Sequence, residues 1–184
     1  MNFEFEIESS ISFDNNTSSN NNNKTTSSGD KTFYFASKES SLTDPDYRYK
    51  YNEPEIEITG KKGNRTTFFK NSDYYSQILK IPSQYFSKYI GGRLSCSSTF
   101  DSVKNCETFK GEFTIEQVKT YLIEFIKNYS LCEQCDLPET YLKKNEKKCL
   151  IKQCNACEKN SIVNCKNTDK AYDFINKQIK FNNY

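Results

Sequence analysis

The chain has 184 residues, a length for one domain or a small domain plus a module, and only 35% of them are hydrophobic, so part of it is not expected to pack. No run approaches ~18 consecutive apolar residues, which excludes a membrane-spanning helix, and the absence of His excludes His-based triads, His metal ligands and imidazole acid–base chemistry. The formal charge of +2 is uneven: residues 1–43 hold six acids and three lysines, a net of −3, leaving a body of +5 that suits nucleic-acid contact or simply a solvated surface.

At the N-terminus Phe3, Phe5 and Ile7 alternate with Glu4, Glu6 and Glu8 in a strand-like pattern. This segment reads as a flexible tail or a short docking peptide, and it lacks the basic and apolar regions of a signal peptide. Residues 14–30 form an Asn/Ser/Thr tract with nothing apolar to bury, expected to be disordered. Order is expected from the Asp44-Pro45 turn onward. Glu55–Thr59 alternates as a strand, Gly60 to Arg65 forms a basic hairpin loop, and Thr66–Lys70 is the return strand. Ser72 is expected to cap a short helix with Tyr75, Ile78 and Leu79 inward; Pro82 breaks it. A second helix runs through Tyr85, Phe86 and Tyr89 to a Gly91-Gly92 stop. Two more strands are predicted over Arg93–Phe100 and Glu107–Phe113. Thr114 and Gln117 then fit a capping box, followed by an apolar stripe of Val118, Tyr121, Leu122, Phe125, Ile126 and Tyr129. A last amphipathic segment carries Tyr172, Ile175 and Ile179.

Between the last two helices stand Cys132-Glu133-Gln134-Cys135 and Cys154-Asn155-Ala156-Cys157, two C-x2-C pairs with eighteen residues between them. Each pair presents two thiolates to one tetrahedral ion, and the arm between suits the hairpins of a zinc ribbon. The alternatives are a redox pair or reduced core cysteines. With no export signal the eight cysteines are read in an intracellular, cytoplasmic context, where metal binding is commoner than disulfides. Four thiolates saturate Zn²⁺, leave no position for water and mark the ion as structural. Cys149 and Cys165 are possible substitute ligands, and Cys96 and Cys106 read as buried thiols in strands. The fold class is therefore α+β: a disordered tail over 1–43, a mixed α/β core of about four strands and three helices over 44–129, and a C-terminal zinc ribbon with a helix over 130–184.

The segment Asp44-Pro45-Asp46-Tyr47-Arg48-Tyr49-Lys50 resembles the start of the ordered N-terminal domain in the eukaryotic translation initiation factor 5 family. Leu131-Cys132-Glu133-Gln134-Cys135-Asp136-Leu137-Pro138-Glu139-Thr140 resembles the opening of that family's ribbon. Gly60–Arg65, Lys88-Tyr89-Ile90-Gly91, Phe100-Asp101 and Ala171–Lys177 are similar too, in order, over roughly residues 44–180. The same shape is shared with the β subunit of initiation factor 2.

The resemblance implies a GTPase-activating protein, not itself an enzyme. It would act on GTP-bound initiation factor 2, through the γ subunit, on the small ribosomal subunit carrying initiator tRNA, with no membrane or duplex DNA as partner. It makes Arg48 the arginine finger, and it makes Lys61, Lys62, Asn64 and Arg65 the loop that contacts initiator tRNA. A second tRNA loop maps near Lys104, although Cys106 and Glu107 stand where a basic residue is expected. The family's C-terminal helical-repeat domain is not found here, and the chain reads as the catalytic N-terminal half. Arg65-Thr66-Thr67-Phe68 also resembles the β subunit's loop, but that subunit's lysine blocks are missing. Without the resemblance, Arg48 reads as a surface arginine stacked on Tyr47 or Tyr49. The competing functions are a non-catalytic ribosome-binding module, β-subunit-like or blocking the tRNA site in dormancy, and a zinc-ribbon transcription factor.

Overall fold

The computed structural model describes residues 32–34, 50–163 and 170–179. The strand-like N-terminal pattern, the Asn/Ser tract, Arg48 and Cys165 lie outside the described residues. The chain divides into two compact units between Glu53 and Pro54. In the first, β1 (Thr32–Tyr34) pairs antiparallel with β2 (Lys50–Asn52). Secondary structure therefore begins ahead of the expected Asp44-Pro45 start.

The second unit opens with the four-stranded antiparallel sheet β3 (Ile56–Thr59), β4 (Thr66–Phe69), β6 (Cys106–Lys110) and β5 (Ser98–Asp101), in that spatial order. Between β4 and β5 run α1 (Ser72–Leu79) and α2 (Ser83–Arg93), and α3 (Ile115–Tyr129) follows β6. The mixed α/β core expected from the sequence is present. It is largely aromatic. Phe86 on α2 meets sheet residue Phe69 at 6.0 Å between ring centroids and Phe125 on α3 at 6.0 Å, so α2 lies between the sheet and α3. Tyr89 joins Phe125 and Tyr129, and the last two stack at 4.8 Å. Such pairs add about 0.5–1.5 kcal/mol each beyond burial. Of the rest of the predicted stripe, Val118, Leu122 and Ile126 are fully buried, while Tyr121 is half-buried at its edge.

Glu107 is buried on the helix side of the sheet. Its carboxylate accepts from Ser83 Oγ at 2.7 Å at the start of α2, where the helix dipole favours a negative charge. Its backbone N–H donates to Ser72 Oγ. This corrects the expected cap: Asn71 is the N-cap of α1, while Ser72 is a buried first-turn residue with its hydroxyl on the sheet. A second correction concerns Gly91-Gly92, which do not end α2; it continues to Arg93. Gly91 serves packing instead, because a Cβ there would come within 3.2 Å of Cys96 O and Ser98 Cβ.

The capping box of α3 is complete. Gln117 N–H donates to Thr114 Oγ1 at 3.3 Å, and Thr114 N–H donates to Gln117 Oε1 at 2.9 Å. Thr114→Ala is expected to cost about 1 kcal/mol of stability, measured as a lower urea midpoint; an unchanged midpoint would show that α3 is held by its packing alone.

The ribbon sheet is β7 (Thr140–Lys144), β8 (Leu150–Cys154) and β9 (Asn160–Ile162), antiparallel with β8 in the centre. Thr140 Oγ1 donates to Ser130 O, tying β7 to the end of α3. The last helix, α4 (Lys170–Gln178), packs on α2 rather than on the ribbon alone. Tyr85 and Phe174 meet at 6.2 Å, Lys88 Nζ lies 5.8 Å from the Phe174 ring, and Leu150 N–H donates to Tyr172 Oη. α4 thus straps the ribbon to the core. Among the described residues, no helix is long and apolar enough to cross a membrane.

Candidate metal centre and basic hairpin

The four paired cysteines converge at the base of the ribbon. Cys132 follows α3 in a tight turn: its N–H donates to Leu137 O at 3.0 Å, and Asp136 N–H donates back to Cys132 O at 3.1 Å. Asp136 takes a left-handed φ of 53° there, which a short polar side chain tolerates. Cys154 ends β8, where its N–H donates to Lys159 O and places Cys157 on the second turn. The four sulfurs lie within 4.8 Å of one another, with Cys132–Cys157 at 3.5 Å and Cys135–Cys154 at 3.7 Å. Sulfurs ~2.3 Å from a tetrahedral ion stand about 3.8 Å apart, so this donor set fits such an ion.

Cys132 and Cys154 are buried while Cys135 and Cys157 reach the surface. Burial opposes ionisation at Cys132, yet the N–H groups of Gln134 and Cys135 aimed at its sulfur bring the thiol down to about 7. Burial dominates at Cys135, which is pushed up to about 12. Lys152, only 3% exposed, reaches Glu133 at 3.4 Å within the first C-x2-C turn and so ties β8 to that turn. Cys149 is not part of the cluster. It precedes β8, at the opposite end of the strand from Cys154, which removes it as a substitute ligand. Cys106 is fully buried and Cys96 half-buried.

Lys61, Lys62 and Asn64 are exposed on the β3–β4 hairpin and Arg65 is half-buried at its base. The turn closes through Asn64 N–H to Lys61 O at 2.9 Å. The register Thr66↔Lys110 brings a further cation alongside, and Lys110 Nζ donates to Asn64 Oδ1 at 2.7 Å. Arg65 pairs with Glu112. Sequence reasoning missed Lys110 and Glu112 because a strand pairing across more than forty residues brings them here. Lys104 is elsewhere. The antiparallel order places the β5–β6 turn at the opposite end of the sheet from the hairpin. Lys104 Nζ folds back over the Phe68 ring at 3.7 Å and lies 3.6 Å from Glu57. The Glu57 carboxyl is held below its ordinary range first by its hydrogen bond from Lys70 and then by the Lys104 charge.

Residues 39–160 match the family model described as a domain found in initiation factors 2B and 5. The chain is 31% identical over 119 residues to eukaryotic translation initiation factor 5 of Caenorhabditis elegans, covering 64% of this chain and 27% of that protein. Against the Mus musculus factor 5 it is 32% identical over 118 residues, covering 64% and 28%. Against translation initiation factor 2 subunit beta of Methanoregula boonei it is 25% identical over 127 residues, covering 69% and 57%. The chain spans about a quarter of the length of the factor 5 relatives it matches. The matched span reaches from ahead of Arg48, through the hairpin, to both cysteine pairs, and the chain belongs to the family of the domain found in initiation factors 2B and 5, the factor 5 family that its motifs resemble.

Proposed function

We propose that this chain is a cytoplasmic translation initiation factor that activates GTP hydrolysis by initiation factor 2 on the small ribosomal subunit during start-codon selection. The observation that carries the reading is the continuous family match over residues 39–160, which spans the Tyr47-Arg48-Tyr49 segment, the basic hairpin and the cysteine cluster. The chain supplies groups in trans rather than a complete active site. Arg48 would offer a planar, permanently charged fork to the phosphate oxygens of the γ-subunit's GTP as negative charge builds in the transition state. Lys61, Lys62, Asn64 and Arg65 would meet the sugar–phosphate backbone of initiator tRNA, a contact that positions without reading sequence. Lys104, held on Glu57 and Phe68 at the other end of the sheet, is weaker as an RNA contact.

The metal is Zn²⁺ in this reading. Cys132, Cys135, Cys154 and Cys157 would hold it, fully coordinated, to fix the ribbon, and it takes no part in hydrolysis. The test is single-turnover GTP hydrolysis by initiation factor 2 with initiator tRNA on small subunits programmed with a start codon. Acceleration on adding the protein supports the activator role. Tight small-subunit binding without acceleration favours the second reading, a non-catalytic β-subunit-like module, which rests on the match to 57% of the Methanoregula boonei β subunit.

A further inference from the structure

The base of the β3–β4 hairpin and the β6–α3 connection enclose an open recess of about 340 Å³, lined by Lys62, Asn64, Arg65, Lys110 and Glu112. Three cations therefore surround one concavity, and a single carboxylate sits among them. The recess is built rather than accidental. Gly111 N–H donates to Arg65 O at 2.9 Å, and Thr67 Oγ1 donates to Gly111 O at 2.9 Å and accepts from Phe113 N–H at 3.1 Å. Gly111 has φ +133°, and a Cβ there would meet the Phe113 ring at 2.8 Å, so the connection is clamped onto β4 and carries Glu112 to Arg65.

We infer that this recess is a phosphodiester-binding cradle in which Lys110 is an additional RNA contact and Glu112 is an internal competitor that occupies Arg65 until RNA displaces it. The inference rests on the reading of the hairpin as an RNA contact. The Arg65 and Glu112 side chains are 38% and 54% exposed. A pair that open to water is weakly held, so an arriving phosphate exchanges readily for the carboxylate. The displaced carboxylate stays beside the RNA backbone, where like-charge repulsion lowers affinity. Lys110 differs from Arg65 because its partner, Asn64 Oδ1, is neutral and leaves its charge unspent.

The experiment titrates an initiator tRNA transcript against the full chain and its Glu112→Gln, Lys110→Ala and Lys62→Ala variants at 50 to 200 mM salt. All three positions are at the surface, and Glu112→Gln preserves size. Removing the carboxylate that otherwise stays beside the RNA backbone raises the net positive charge of the cradle by one, so Glu112→Gln should bind roughly 3- to 10-fold tighter at 50 mM salt, with a log–log salt slope steeper by about 0.7–0.9. Its advantage should shrink about threefold by 200 mM. Lys110→Ala should weaken binding and flatten the slope by a similar step. Unchanged affinity and slope in Glu112→Gln and Lys110→Ala, with Lys62→Ala weakened, would overturn this inference and leave the hairpin reading standing. No RNA binding by the native chain would overturn both.

Discussion

Arg48→Ala is expected to remove nearly all of the acceleration proposed for this chain in GTP hydrolysis by initiation factor 2, a loss on the order of 10³–10⁵ in the single-turnover rate. A loss that large follows from the role proposed for the side chain. The transferring phosphoryl group gathers charge in a site from which water is being excluded, where a preoriented cation acts on the transition state far more than on bound GTP. The chain has three arginines, Arg48, Arg65 and Arg93. Arg65 is paired with Glu112, and Arg93 bonds Glu124 with both Nε and Nη2 while lying over the Tyr89 ring. Arg93 is therefore committed within the fold, and Arg65 belongs to the hairpin proposed to meet RNA. Arg48→Lys separates charge from geometry, because lysine keeps the cation but not the fork, and an intermediate rate is expected. Small-subunit affinity should change little in either variant, since the hairpin and the ribbon are untouched. A rate unchanged by Arg48→Ala would exclude the finger role. Equal losses of rate and affinity would make Arg48 an anchor.

What the sequence revealed and what it concealed follow the range of the interactions involved. The β3–β4 hairpin and the α3 capping box depend on residues within a few positions of one another, and both were legible from alternation and from Thr114 and Gln117 alone. The same local logic misled at Gly91-Gly92, because a glycine pair reads as a helix stop. The reason for Gly91 is the close approach of Ser98, a contact made only once β5 is laid against α2. Ser72 failed as a cap for the same reason, its hydroxyl being engaged by the backbone of Glu107. The cysteine cluster was legible because C-x2-C spacing is itself a geometry. Excluding Cys149 required the length and direction of β8. Glu107 illustrates the limit best. In the sequence it is a departure from an expected basic residue; in the fold its buried carboxylate holds the start of α2 and its backbone N–H holds the first turn of α1 on the sheet.

Cys132→Ser is expected to abolish the tight zinc binding proposed for the cysteine cluster and to loosen the ribbon while the core keeps its fold. Structural zinc contributes apparent free energies of about 10–16 kcal/mol in small zinc-binding peptides, more than the entire stability of many domains. The ribbon has little to set against that loss. Its strands are three to five residues long, and its buried apolar side chains are few: Leu150, Ile151 and Val163 beside the cysteines. The core instead has the Phe69–Phe86–Phe125–Tyr129 series, which no metal supports. Hydrogen exchange therefore distinguishes the two. Amides of β7, β8 and β9 should lose protection in Cys132→Ser, or in the native protein with a strong chelator, while those of Leu122, Phe125 and Ile126 keep theirs. α4 provides the sharper test, because it bonds the ribbon through Tyr172 and packs on α2 through Phe174. If its hold is on the core, Ile175 stays protected after the ribbon opens. Loss of protection at Ile175 together with Leu122 would mean that ribbon, strap and core unfold as one cooperative unit and that the metal stabilises all of it. Stoichiometric zinc retained in Cys132→Ser would direct attention to Cys165, since Cys149 stands at the wrong end of β8 to replace the lost sulfur.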